Sequence, residues 1–276
     1  MTVSQRAVPE GIARVLHDGR PAVFVSPHLD DAVLSCAALM HAMTARAPVT
    51  VVTLFSADAP PPHTRAARTF LRQCASGLAA SGVAGAAASA TLFRERCRED
   101  ITVLEGLGVR HVHLGHPDAL FRRRRDPSGL LRLAGRVLPE LDHRYPTFRF
   151  DIALGRVSRG DDELRELLTA QVADLARGGV VFAPLGVGRH VDHLLARAVG
   201  EHLGAVLYAD FPYTARDPSA EDAAAGGRRP WAWAADLEAK RPAIEGYRTQ
   251  VDALFPDGEI PLRPETYYAP ASRTRY

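Results

Sequence analysis

A chain of 276 residues with 46% apolar and 24% charged residues has the composition of a folded domain, so disorder is not the starting assumption. Its 34 lysines and arginines against 32 aspartates and glutamates leave a net charge of +2, too balanced to make nucleic acid or an anionic membrane an obligatory partner. The opening MTVSQRAVPEGIARV lacks the apolar core of a signal peptide, no apolar run long enough for a membrane span follows, and Cys36, Cys74 and Cys97 share no framework spacing, so a cytoplasmic protein with reduced thiols is expected.

Strand-like apolar runs alternate with longer helical patterns from the N-terminus onward, which is the signature of βαβ units and of a mostly parallel, Rossmann-like α/β sheet with helices on both faces. The first strand is expected at 22–25, then a helix over about 31–45 with Val33, Leu34, Ala37 and Met40 on one face, and a second strand at 49–55. The turn-rich SADAPPPHT ends that strand, Ala- and Gly-rich helices run to about Leu107, and Gly108 stops them before a third strand at 109–114. Between 119 and 160 the periodicity weakens, and this stretch, with its DPSG turn and the strand-like alternation of TFRFDI, reads as an insertion or lid. A helix opening at 158–162 then feeds a strand at 180–183, and a helix carrying His190 to Leu203 precedes a short strand at 206–208. A last helix is expected over about 234–254, followed by a proline-containing tail. No repeat or linker divides the chain, so 1–276 is expected to be one domain; nothing in it specifies an oligomeric state.

Two clusters carry chemistry. Pro27-His28-Leu29-Asp30-Asp31 sits at the carboxyl end of the first strand, where open α/β sheets bind their ligands. His190-Val191-Asp192-His193 follows a later strand and the glycine-rich turn PLGVG, and its i, i+3 spacing puts both histidines on one helical face. Taken singly, the aspartates could be helix caps and the histidines partly exposed surface residues. Taken together they offer two imidazoles and a carboxylate to a metal, with a carboxylate and an imidazole left over. Three such ligands and an open position make a catalytic rather than a structural zinc site.

The two motifs resemble those of the PIG-L/LmbE-like zinc deacetylases, which read PHPDD or PHxDDE and HPDH or HxDH. The resemblance implies a zinc-dependent hydrolase removing an N-acetyl group from an amino sugar or sugar conjugate, in bacterial secondary-metabolite or glycoconjugate biosynthesis. It implies His28, Asp31 and His193 as ligands of one Zn2+ (Fe2+ or Co2+ being other candidates), Asp30 as general base, His190 as oxyanion stabiliser or acid, and Asp192 as the carboxylate orienting a histidine. Arg96 with Glu99, and the loop LGHPD ending at Asp118, are similar to the family's substrate-binding segments. The stretch YADFPY over 208–213, and Lys240, Tyr247 and Gln250, resemble its C-terminal parts. Ala32 stands where many relatives have Glu, and Gly188 where some have a Tyr near the oxyanion site, so such a donor must come from elsewhere.

Specificity is expected in the loops 56–64 and 119–160. The run Arg122, Arg123, Arg124 and Arg125 is either a solvated basic loop or a site for a substrate phosphate or carboxylate. Two rival readings remain: a metal-dependent phosphoesterase, which usually needs further bridging carboxylates, and a non-enzymatic nucleotide-binding module, whose G-x-G-x-x-G turn is missing.

Overall fold

The computed structural model describes residues 8–75, 88–125 and 128–270. The amphipathic helix α1 (Glu10–Asp18), not among the expected elements, buries Ile12 and Val15 and stops at the left-handed Gly19. The first two strands, β1 (Ala22–Ser26) and β2 (Val49–Thr53), are buried at every position, as continuous apolar runs in a doubly covered sheet require. Between them lies α2 (Asp31–Thr44), and α3 (Arg65–Ala75) and α4 (Ala88–Gly106) follow. The Ala- and Gly-rich stretch at 76–87, expected to be helical, lies outside the described residues, as does the start of the DPSG turn. Half-exposed β3 (Arg110–His113) comes next.

Beyond the short α5 (Gly129–Gly135), the chain runs as expected through α6 (Asp162–Leu175), β4 (Val180–Pro184), α7 (Val191–His202) and β5 (Val206–Tyr208). Then come α8 (Tyr213–Arg216), α9 (Pro218–Ala225), β6 (Pro230–Trp233), α10 (Lys240–Glu245), α11 (Val251–Leu254) and β7 (Glu265–Tyr268).

These strands form one seven-stranded sheet in the order β3-β2-β1-β4-β5-β7-β6. The first five are parallel; β7 runs antiparallel to β5, and β6 antiparallel to β7. Alternate residues of β1 face opposite layers. Ala22 and Phe24 join a core with α1, α2, α4 and α10, whereas Val23 and Val25 join one with α6 and α7. Gly200 lets α7 lie close on β4, since a Cβ there would stand 2.2 Å from the Cβ of Ala183. No helix among the described residues is long and apolar enough to cross a membrane.

Four expectations are corrected. The helix α2 is buried on nearly all sides rather than along one stripe, because α10 and β7 cover the face that the pattern left to solvent. The single helix expected over 234–254 is two short ones. It breaks at Gly246, where a Cβ would meet Val103 at 2.3 Å, and Tyr247 then turns inward to bond Asp100. TFRFDI is no strand: Phe148–Ile152 is a π-helical turn, held by Asp151 accepting from both the N–H and the hydroxyl of Thr147. The tail contains β7, which pairs with β5 and β6.

Candidate metal centre

The sheet reverses direction of growth between β1 and β4, and the two motifs follow these two neighbouring strands. A switch point is where diverging loops leave a crevice at the carboxyl ends of the strands. His28, Asp30 and Asp31 leave β1; His190, Asp192 and His193 leave β4. Separated by some 160 positions, they meet across one strand spacing.

At their centre three donor atoms converge. Asp31 Oδ2 lies 3.1 Å from His28 Nδ1 and 3.3 Å from His193 Nε2. Donors sharing one four-coordinate ion with bonds of about 2.1 Å stand roughly 3.4 Å apart, so the set fits a single small cation. Each imidazole is braced from behind. The far nitrogen of His28, Nε2, is 3.1 Å from Asp192 Oδ2 and 3.4 Å from Asp118 Oδ2, and that of His193, Nδ1, is 2.7 Å from Asp210 Oδ1. Carboxylates at the far ring nitrogen are how proteins set tautomer and ring angle for a metal. A second grouping, His28, His190 and Asp192, is less suited. Both Asp192 oxygens are committed, Oδ1 to Arg122 and Oδ2 to the amide of Ala119, and Nδ1 of His190 accepts the amide of Asp192.

The local field calls for positive charge. Burial alone disfavours a charged ring at His28, but Asp118, Asp192 and Asp31 outweigh it and raise its pKa to about 10. Buried His193 is likewise held well above its ordinary value by Asp31 and Asp210. A divalent cation on these donors would take the place of those protons.

Asp30 occupies the N-cap position of α2 yet makes no capping bond, and its φ of 149° is a strained value for a non-glycine residue. Ser26 does the capping instead, its hydroxyl accepting the amide of Ala32. Freed from that duty, the Asp30 carboxylate lines the cavity, where burial and the neighbouring Asp31 push its pKa up to about 8 against the pull of Arg96 and His28. His190 also lines the cavity. Burial, with His28 and His193 nearby, lowers its pKa to about 3. Its ring is therefore neutral, and because Nδ1 accepts a backbone amide the proton sits on Nε2.

The cavity has a volume of about 1070 Å³. Arg96 and Asp118 line it. Arg96 is 3% exposed, with its guanidinium 5.3 Å from the ring centre of Phe93 and 5.7 Å from that of Phe70. Glu99 does not line it; it is spent on the amide and hydroxyl of Thr249. Gln250 lines the cavity and donates to Leu29 O, while Lys240 and Tyr247 hold buried Glu265 and Asp100.

The solvated-loop reading holds only for the end of the arginine run: Arg124 and Arg125 are exposed, whereas Arg122 and Arg123 turn inward. Arg122 is 4% exposed and bridges Asp192 and Asp161, Arg123 pairs with Asp142, Arg124 donates to His143 O, and Arg125 pairs with Glu163. Asp210 and Tyr213 also belong to the site, though neither is among the residues expected there. Both belong to the stretch 208–213 already singled out, but nothing in their spacing says that one will stand behind His193 and the other beside it. The Tyr213 ring lies 5.6 Å from that of His193 and covers Gly188, where a Cβ would meet it at 2.8 Å.

A parallel α/β sheet whose switch point brings two imidazoles together on one carboxylate, with a second free carboxylate beside them, defines the class of the LmbE-like hydrolases. The family model PIG-L, described as GlcNAc-PI de-N-acetylase, matches residues 23–203, and the chain belongs to that family. It is a hydrolytic N-deacetylase, cleaving the amide bond of an amino sugar. Its fold is similar to that of the A40926 pseudoaglycone deacetylase Dbv21 (25% identity over 91% of this chain and 96% of that one, TM-score 0.58). It is also similar to a deacetylase of teicoplanin biosynthesis in complex with teicoplanin (22%, 90% and 97%, 0.63), and to the zinc-inhibited form of teicoplanin deacetylase Orf2 (21%, 92% and 100%, 0.64). No curated protein matches the chain.

Proposed function

We propose that this protein is a zinc-dependent deacetylase removing the N-acetyl group of an amino sugar carried on a bulky, partly apolar conjugate, as in antibiotic or glycoconjugate biosynthesis. The observation that carries this reading is the meeting of His28 Nδ1, Asp31 Oδ2 and His193 Nε2 beside the uncommitted Asp30, at the floor of a cavity several times larger than an acetamido sugar. His28, Asp31 and His193 hold the ion. A zinc ion there supplies Lewis acidity, polarising the acetyl carbonyl and bringing the pKa of water to about 7.

The rest is done by the chain. Asp30 takes the proton of the attacking water and returns it to the departing amine, the roles of base and then acid. His190 donates its Nε2 hydrogen, as a neutral imidazole, to the oxygen that becomes negative as the carbonyl is attacked. Arg96 and Asp118 bind sugar hydroxyls. The exposed Phe148 and Phe150, on the segment 119–160 that acts as a lid, offer aromatic surface to the conjugate. The pseudoaglycone deacetylase named above supports such a substrate. The three free cysteines support the cytoplasm as its compartment.

The test is release of acetate from N-acetylglucosaminyl conjugates by the purified protein. Release should cease with a chelator and return with zinc, and H193A should neither bind zinc nor turn over. Release that continues in the metal-free protein would refute the reading.

A further inference from the structure

Resting on that reading of the metal centre, we infer that Arg122 is a positioning residue for the bound ion: it fixes Asp192, and through Asp192 the ring of His28. The guanidinium is 4% exposed and Asp192 is fully buried. Its Nη2 lies 2.5 Å from Asp192 Oδ1, which leaves Asp192 Oδ2 to accept from the amide of Ala119 at 2.9 Å and from His28 Nε2 at 3.1 Å. Every acceptor of Asp192 is thereby aimed, and the His28 ring is held with Nδ1 facing Asp31.

The other branch of the same guanidinium looks outward. Nη1 is 2.7 Å from Asp161 Oδ2, which also accepts the phenol of Tyr145 at 2.7 Å, while Asp161 Oδ1 pairs with Arg144. The Tyr145 hydroxyl accepts in turn from the amide of Ser158 at 2.9 Å. Arg122 is stacked as well as bonded, 4.7 Å from the ring centre of Phe55, whose ring lies 6.2 Å from that of His28. A continuous buried line, Tyr145–Asp161–Arg122–Asp192–His28, therefore runs from the segment walling the cavity to the metal-binding ring. Bidentate arginine suits such a bridge because its planar fork orients two carboxylates at once, which a lysine cannot do.

Arg122 touches neither the ion's donors nor the substrate, so its signature is metal affinity rather than chemistry alone. The experiment is zinc affinity of the metal-stripped full chain, read by competition with a calibrated chelator, for wild type, Arg122→Met, Arg122→Lys, Asp161→Asn and His193→Ala. Loss of an outer partner typically costs 10- to 100-fold in affinity, and about that loss is expected for R122M. R122K should recover part of it by keeping one of the two ion pairs, and D161N should lose several-fold through the far end of the line. A folded R122M with wild-type zinc affinity overturns the inference. If R122M does not fold, wild-type affinity in both R122K and D161N overturns it equally. A wild type that binds no zinc, or an H193A that still binds it, instead overturns the metal-centre reading, so the two failures are told apart.

Discussion

Asp210 Oδ1 lies 2.7 Å from His193 Nδ1, while Oδ2 of the same carboxylate accepts the amides of Gly186 and Val187 at 2.8 and 3.0 Å. One side chain from the end of β5 thus ties the His193 ring of α7 to the glycine-rich turn that precedes it. D210N keeps an acceptor for the turn but loses the charge behind the ring. It should fold, and should bind zinc about 10- to 100-fold more weakly in chelator competition.

Asp30 is the carboxylate left over once the proposed metal donors His28, Asp31 and His193 are set aside. D30N should retain one zinc per chain by elemental analysis and lose on the order of 10²- to 10⁴-fold in kcat, the range general acid–base catalysis contributes. Near-normal turnover by a zinc-replete D30N would remove Asp30 from the mechanism.

Behind the site, Glu265 on β7 is buried at 3% exposure and accepts the amides of Ala38 and Leu39, in the middle of α2, at 2.9 and 3.0 Å, with Lys240 3.2 Å away and the phenol of Tyr267 at 2.8 Å. Replacing it by Ala leaves a buried lysine and two helix amides without their partner. A loss of about 3–5 kcal/mol in urea unfolding is expected, with E265Q in between.

The pair His113 and Asp100 gives a pH test away from the metal. Burial disfavours a charged ring, but Asp100 Oδ2 at 2.7 Å from Nε2, helped by Cys97, outweighs it and raises the pKa from 6.5 to about 9. A group whose pKa is higher in the folded state stabilises it fully below the unfolded value and loses that contribution as pH rises through the folded one. The difference in melting temperature between wild type and H113N should therefore be largest below pH 6.5 and shrink towards pH 9 and above. A difference that is flat over that window would show that the ion pair does not contribute.

Much of this molecule could be read along the chain. Strands buried on both faces are written as unbroken apolar runs, so β1, β2, β4 and β5 and the helices between them were visible, and so were the two motifs at the strand ends. Each is a local pattern in which a strand, a turn and a helix start follow within ten residues. The C-terminal third was not legible in that way. The strands β6 and β7 are short and pair with each other and with β5, so their identity lies in partners far away in sequence. The helix expected over 234–254 ends early because tertiary contacts at Gly246 and Tyr247 override its periodicity.

The sequence by itself determined the chemistry available: three imidazoles and three aspartates held by strand-end turns, in a family that hydrolyses N-acetyl amides. The tertiary structure decided which atoms meet and what stands behind them. It placed Asp210 behind His193, sent Arg122 inward to Asp192 rather than outward to solvent, and left His190 neutral. The physical reason is that a ligand motif is set by neighbours in sequence, whereas the tautomer, charge and angle of its rings are set by buried carboxylates and cations that only the packing of distant segments brings within hydrogen-bonding distance.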